Sequence, residues 1–472
     1  KGFYMNKFIL NLLWLGSMML AQATTIENYQ PYLQPGLDKA RLQLADIEPL
    51  IKQYAADPAL KVTELGRSVE NRPIYLLQLG QGEKRVLAWS QMHGDEHTAT
   101  AALFDFLNYT LAPEQQAWRE QWFSEITLYI VPMLNPDGAA RNSRVNAQGI
   151  DINRDALALQ SPEGRLLMQL ARRIQPHYGF NLHDQNRFHA AGDAPNPATI
   201  SLLAPAYNAA REINDSRRRA MQLIAHVKPW LDRQIPDHLG RYNDTWSPRS
   251  FGDTFASMGI STVLVEAGGH RNDDNRQVAR RLNFQLYVAW INAIASGSYR
   301  DAALSDYEAI PFNNSGGLKD LILNKLQVRV ADTEATLDIG VNFHTEGDRY
   351  ARIHELGDLS GYGAYHQFDV SGLRYQQGRA YPLTEPLLLD DQRYQQLLRL
   401  GYTHFRGDAK LLQRRTNLPV LVNPLRPTQS SPQLRQGATF LLVNAQGEVI
   451  QVLLNGQLLD LGRLEVLNPL GT

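Results

Sequence analysis

Four apolar runs in this sequence end in residues that can bind a metal or move a proton. Residues 85–91 (RVLAWSQ) lead into His93-Gly94-Asp95-Glu96. A His and a Glu three residues apart, just past a strand, can offer an imidazole nitrogen and a carboxylate to one ion. Zinc in catalytic sites takes three such ligands and leaves a fourth position for water. Residues 126–134 (ITLYIVPML) lead into Asn135-Pro136-Asp137-Gly138, a turn signature, and soon after comes the stretch 144–154 (RVNAQGIDINR). Residues 178–182 end in His183-Asp184, and residues 262–265 end in Glu266-Ala267-Gly268-Gly269. One H-x-x-E pair is a weak signal, whereas four successive strand ends delivering His, Glu or Arg form a constellation. The chain has no cysteine, so any metal here must be held by His, Asp or Glu.

Those residues need a scaffold that brings strand ends together. From about residue 28 to 296 strand and helix patterns alternate, which predicts an α/β fold: a mixed, mostly parallel central sheet flanked by helices. A helix is expected over 98–111, where Ala101, Leu103, Phe104 and Leu107 fall near helical spacing. A second is expected to start at Ser161-Pro162-Glu163, with Pro at the first helical position, and a third to cover 274–295. In such sheets ligands sit beyond the carboxyl ends of the strands, where the polar clusters fall. After about residue 300 the pattern becomes β-rich, with runs at 318–330, 336–344 and 439–454 and turn signals at Asn444-Ala445-Gln446-Gly447 and Asn455-Gly456. The Pro-rich stretch 424–432 reads as a linker, which would leave this smaller region in two pieces.

The 472-residue length calls for more than one domain. The expected division is a signal peptide over 1–23, a catalytic domain over 24–300 and the β-rich region over 301–472. The leader reading rests on Met5-Asn6-Lys7, the apolar run 8–20, and the small-x-small site Ala21-Gln22-Ala23. KGFY, residues 1–4, precedes a plausible start at Met5 and is read as a start-site artefact. A cleaved leader on a chain without cysteines predicts a bacterial periplasmic or extracellular protein with no stable membrane insertion after cleavage. The 43% hydrophobic and 20% charged composition is that of a globular chain, and the formal net charge of −1 gives no footprint for nucleic acid.

The ordered set HGDE, NPDG, R-x-N-A-x-G-I-D-x-N-R, LHD and VEAGG resembles the zinc metallocarboxypeptidases of the carboxypeptidase A type, across roughly residues 60–296. Gly66-Arg67-Ser68 followed by Asn71-Arg72-Pro73-Ile74 also resembles that family's segment ahead of the first metal strand. The resemblance implies one Zn²⁺ held by His93, Glu96 and His183, with Glu266 as general base. It implies that Arg144 stabilises the oxyanion and contacts substrate, that Asn153 and Arg154 grip a terminal carboxylate, and that Asp151 orients the first zinc histidine. His97 and His189 fall outside the motif spacing and read as pocket-lining or surface residues. The family's mobile tyrosine has only a loosely spaced counterpart, Tyr242, and Asp253 could select a basic side chain or buttress the pocket.

The implied activity is hydrolysis of the C-terminal bond of a peptide or peptide-like substrate bearing a free carboxylate. The same scaffold would also serve a cell-wall peptide amidase or carboxypeptidase, or an N-acyl amino acid deacylase. Asn153-Arg154 and the NPDG segment favour the peptidase. The intact set with Glu266 weighs against a non-catalytic binding module.

Overall fold

A strand covered on both faces must be apolar at successive positions, and Val86, Leu87, Ala88 and Trp89 meet that requirement. In the computed structural model they lie in β3 (Lys84–Ser90) and are buried. The structure describes residues 26, 28–273, 275–344, 350–425 and 429–469. The expected leader at 1–23 lies outside the described residues. Among those described, no helix is long and apolar enough to cross a membrane.

The described chain divides into two units, one comprising residues up to Gly192 together with Pro197–Asn314, the other Asp193–Asn196 with residues from Ser315 onward. The first unit is built on an eight-stranded sheet. Its strands are β1 (Leu60–Arg67), β2 (Pro73–Leu79), β3, β4 (Ile126–Val131), β5 (Tyr178–Asp184), β7 (Ile200–Leu203), β8 (Leu239–Arg241) and β9 (Ser261–Ala267), with a two-residue β6 (Ala190–Ala191) outside it. The order is β1-β2-β4-β3-β5-β9-β7-β8. The central four, β4, β3, β5 and β9, run parallel, so their carboxyl ends share one edge. β1, β2 and β7 supply the antiparallel pairings.

Alternation along the strands divides the core between the two faces. Val86 and Ala88 join the cluster formed with the helices Thr98–Leu111, Asp215–Gln234 and Gln277–Ser296. Leu87 and Trp89 face the opposite cluster, with the helices Pro162–Ile174 and Phe251–Ser257. The helix start at Ser161 is as expected: its Oγ accepts from the Gly164 amide, and Pro162 follows it. The helix expected over 274–295 runs instead from Gln277 to Ser296. The Asp273 carboxylate accepts from the Gln277 and Val278 amides, and Arg276 holds a left-handed φ of 55° just before the first turn.

The second unit is β-rich, with a nine-stranded sheet. Its longest strands, Leu318–Val330 and Thr333–His344, form an antiparallel hairpin. The run expected over 439–454 is broken into Phe440–Val443 and Val449–Leu454, because Asn444 Oδ1 accepts from the Gln446 and Glu448 amides and closes a turn. The Pro-rich stretch does not leave this region in two pieces: the strand Arg374–Gln376 ahead of it pairs antiparallel with Phe440–Val443 beyond it, within the one sheet.

The turn from β3 into the HGDE segment is tightly specified. Gln91 adopts a φ of 48°, unfavourable for a residue with a Cβ, and its amide holds it there by bonding the Leu42 and Gly94 carbonyls. A Cβ on Gly94 would come within 2.0 Å of the Gly138 carbonyl carbon, so the HGDE and NPDG segments meet backbone to backbone. Asn135 completes the join, accepting from the Gly138 amide at 2.9 Å and donating to the Met92 carbonyl at 3.2 Å. Gly94→Ala is therefore expected to force the two segments apart. It should lower stability by about 1–3 kcal/mol, the scale of overpacking, measured as a fall in Tm or denaturation midpoint.

Candidate active site

The parallel register brings the reactive groups to one edge. His183 and Glu266 are direct partners across β5 and β9, so their side chains leave the same face of the sheet. His93 and Glu96 arrive from the turn after β3. The His93 Nδ1 lies 2.8 Å from Glu96 Oε1, the His183 Nδ1 lies 2.7 Å from Glu96 Oε2, and the two Nδ1 atoms are 3.2 Å apart. All three residues are buried, and their ligand atoms fall within 4.8 Å of one another. The donor set, two imidazole nitrogens and a carboxylate with no thiolate, fits a zinc ion bound through three protein ligands.

Asp151 links this cluster to the next motif. Its Oδ1 accepts from the Asn153 amide and lies 3.1 Å from His93 Nε2, and its Oδ2 accepts from Arg144 Nε at 3.1 Å. Holding Nε2 leaves Nδ1 to face Glu96, so one carboxylate selects the ring nitrogen presented to a metal. Arg144 also reaches back, with Nη1 3.3 Å from Glu96 Oε1. The loop itself is shaped by Asn146, whose Oδ1 accepts from the Gln148 and Ile150 amides while Gly149 takes a left-handed φ of 76°.

NPDG proves to be scaffold rather than reactive machinery. Asp137 is fully buried and accepts from Ser68 Oγ, the Glu70 amide and Arg72 Nη1. It ties the 66–73 segment to the helix Pro136–Arg141 beside the HGDE turn.

A cavity of about 560 Å³ opens over the cluster. His93, Glu96, His183, Arg144, Asn153, Arg154, Tyr242 and Glu266 all line it, whereas Asp151 stands behind His93. The Glu266 side chain makes no hydrogen bond or ion pair with any described residue. Burial, then the charges of Glu96 and Asp184, push its pKa well above the usual carboxylate range. Burial also opposes ionisation of Glu96, but His183 and His93 outweigh it and hold Glu96 ionised. Arg154 Nη1 donates to the Asn153 carbonyl and to Ser250 Oγ, and Asn153 Oδ1 accepts from the Phe251 amide. Asp253, on the same wall, accepts from the Ser247 amide, and burial raises its pKa to about 6. The Tyr242 ring lies 5.8 Å from that of His189. His97 is buried at the start of the helix Thr98–Leu111 and is neither a surface residue nor part of the cavity wall.

Two further cavity residues, Ser250 and Arg276, carry no signal in a single sequence, and Asp184 shows there only as the last residue of the LHD motif. Asp184 Oδ2 accepts from the Thr98 amide and Oγ1, anchoring the start of the helix Thr98–Leu111 to β5.

Residues 47–195 match the family described as "Zinc carboxypeptidase". The chain carries a zinc carboxypeptidase domain over that segment. The matched segment includes His93, Glu96, Asp151 and His183, and Glu266 lies beyond it. Carboxypeptidase SOL1 of Arabidopsis thaliana is 24% identical over 196 residues, which is 34% of this chain and 40% of that protein. Gamma-D-glutamyl-L-diamino acid endopeptidase 1 of Lysinibacillus sphaericus is 34% identical over 103 residues, 21% of this chain and 25% of the relative. The chain thus spans less than half the length of either. A metallo-carboxypeptidase structure from Burkholderia cenocepacia aligns with a TM-score of 0.44 at 20% identity, covering 55% of this chain and 70% of that one.

Behind the segment that follows Glu266, the His238 and His270 rings lie tilted to each other with centroids 4.7 Å apart. Thr199 Oγ1 lies 2.9 Å from His270 Nδ1 and donates to the Gly269 carbonyl. Burial, then the neighbouring His270, pushes the His238 pKa down to about 4. The folded state thus keeps this ring neutral while the unfolded chain takes up a proton near pH ~6.5. Stability present above that pH is therefore lost as the pH falls towards 4. Denaturation midpoints measured across this window should fall with pH, and His238→Asn should flatten the dependence. An unchanged slope in the variant would remove His238 from the account.

Proposed function

We propose that this chain is a metallocarboxypeptidase that hydrolyses the C-terminal bond of a peptide, with one zinc ion held by His93, Glu96 and His183 and with Glu266 as general base. One observation carries the reading: the buried His93–Glu96–His183 cluster shares its cavity with an unpaired Glu266 and with Arg154. Bound by those three ligands, zinc supplies a Lewis acid that polarises the scissile carbonyl and makes water nucleophilic at neutral pH.

The remaining work falls to the chain's own side chains. Glu266 accepts the proton of the attacking water and returns it to the leaving amine; its burial makes it a stronger base than an exposed carboxylate. Arg144, fixed by Asp151, places guanidinium N–H groups beside the reacting carbonyl, where they stabilise the developing negative charge. Arg154 holds the substrate's free carboxylate. Only one of its terminal nitrogens is engaged by the Asn153 carbonyl and Ser250, which leaves Nε and Nη2 for the ligand. Asn153, whose Nδ2 lies 3.5 Å from His183 Nε2, and Tyr242 line the same cavity and contact the substrate beside it. The assignment of catalysis to residues 24–300 and of secretion to the 1–23 leader belongs to the same reading.

A second substrate class draws support from the Lysinibacillus sphaericus relative, whose name specifies a γ-D-glutamyl-L-diamino acid bond. A cell-wall peptide with a free carboxylate would use the same zinc, Glu266 and Arg154.

The test is kcat/KM on matched free-acid and C-terminally amidated peptides. The zinc-loaded native protein should favour the acid. Arg154→Ala should lower turnover of the acid far more than of the amide, by on the order of 2–5 kcal/mol in transition-state binding. Glu266→Gln should retain zinc and lose about 10²–10⁴-fold in turnover on both. Equal native activity on acid and amide would leave a zinc hydrolase without carboxypeptidase character.

A further inference from the structure

The cavity holds a guanidinium group that the proposed reaction does not use. Arg276 sits just before the helix Gln277–Ser296 with a φ of 55° and lines the cavity together with Glu266. Its Nη1 donates to the Ala267 carbonyl at 2.5 Å and stands 3.8 Å from Asp184 Oδ2. The latter distance is too long for a hydrogen bond, and the Asp184 oxygen is already taken up by the Thr98 amide and hydroxyl. Among the described residues, nothing accepts from Arg276 Nε or Nη2, and the side chain is 24% exposed. A cation with two free donors therefore faces the cavity.

Its position relative to Arg154 matters most. Arg154 is tied to Asn153 and Ser250; Arg276 is tied to Ala267 and approaches Asp184; the two share no partner. His183 and Glu266 pair across β5 and β9, and the next pair outward is Asp184 with Ala267, the two residues Arg276 spans. A substrate whose carboxylate lies at Arg154 and whose scissile carbonyl lies at the metal ligands must extend its acyl portion along the remaining wall. Of the other acids of the cavity, Asp95 stands among the charges of Glu96, His93 and Arg144 and Asp253 among those of Arg154 and Arg217, while Glu266 is near enough for the Arg276 charge to act on it but accepts no hydrogen bond from it.

We propose that Arg276 binds a carboxylate on the acyl side of the substrate, so that the preferred substrate is doubly anionic, with an acidic residue immediately before the scissile bond as well as a free C-terminus. This rests on the carboxypeptidase reading for the placement of the leaving residue at Arg154. The second carboxylate can be the side chain of an α-linked glutamyl residue or the α-carboxylate of a γ-linked one. A planar guanidinium with two parallel donors suits either.

The experiment compares three peptides sharing one C-terminal residue and differing in the residue before it: α-linked Glu, γ-linked Glu, and Gln. kcat/KM is measured for the zinc-loaded native protein, Arg276→Gln and Arg276→Lys. The native protein should favour one of the glutamyl peptides over the glutaminyl peptide by about tenfold or more, the scale of one charge-assisted hydrogen bond. Which linkage is favoured identifies the source of the carboxylate. Arg276→Gln should abolish that preference while leaving turnover of the glutaminyl peptide within about threefold of native, well under one such bond, and Arg276→Lys should restore part of it. No native preference, or an equal loss on all three peptides in Arg276→Gln, would overturn the proposal, the second outcome marking Arg276 as structural. Calorimetric binding of N-acetylglutamate against N-acetylglutamine gives a readout independent of turnover. Tighter binding of the dicarboxylate that disappears in Arg276→Gln supports the anion site even if no peptide is cleaved, in which case the carboxypeptidase reading alone fails; equal binding of the two counts against the site.

Discussion

A carboxylate removed from water has to be compensated where it sits, and Glu96 is buried with two imidazoles as its nearest partners. Much of the first unit can be understood as what it takes to hold that arrangement. Two of the groups come from one turn and the third from the end of a different strand, so β3 and β5 must be adjacent and parallel. The turn after β3 must also be sharp enough to aim His93 back at β5. Gln91 accepts a strained φ for this purpose, and Gly94 gives up a side chain so that its backbone can rest on Gly138. The NPDG segment, a turn signature in the sequence, provides that resting surface and clamps the 66–73 segment through Asp137.

Asp151 extends the same constraint outward. One carboxylate fixes the ring nitrogen His93 presents and aims Arg144 across the cluster. His93 and the group proposed to stabilise the oxyanion are thus held by a single side chain, and a change at Asp151 acts on both. Beyond this centre the cavity is asymmetric. Arg154 and Asp253 line it together with Arg276 and Asp184, and the Glu266 side chain makes no hydrogen bond to any described residue.

Much of this was legible from sequence, for physical reasons. A strand covered on both faces is an uninterrupted apolar run, and it stops where side chains meet polar surroundings. The ends of β3, β5 and β9 could therefore be read, and with them His93, Glu96, His183 and Glu266. The helix over 98–111 could be read because its apolar spacing is undiluted. The helix Asp215–Gln234 was not, because its first turns are dense in charge and Pro229 interrupts its pattern. The start of Gln277–Ser296 was misplaced because the cap is a carboxylate at Asp273 reaching forward, with Arg276 in a left-handed conformation that periodicity does not encode. Arg276 was invisible, and Asp184 was visible only as part of the LHD motif, for a related reason: their meaning lies in which strand end they reach, and a lone Arg or Asp in sequence does not state that. The scaffold role of Asp137 likewise depends on partners some 70 residues away.

The most direct test of the account is anomalous scattering at the zinc edge from crystals of the metal-loaded protein. The account predicts one strong site bonded to His93 Nδ1, His183 Nδ1 and Glu96 at ~2.0–2.2 Å, with His93 Nε2 still turned to Asp151. A site bound through the Nε2 atoms, a site elsewhere in the cavity, or no zinc at this cluster would contradict it.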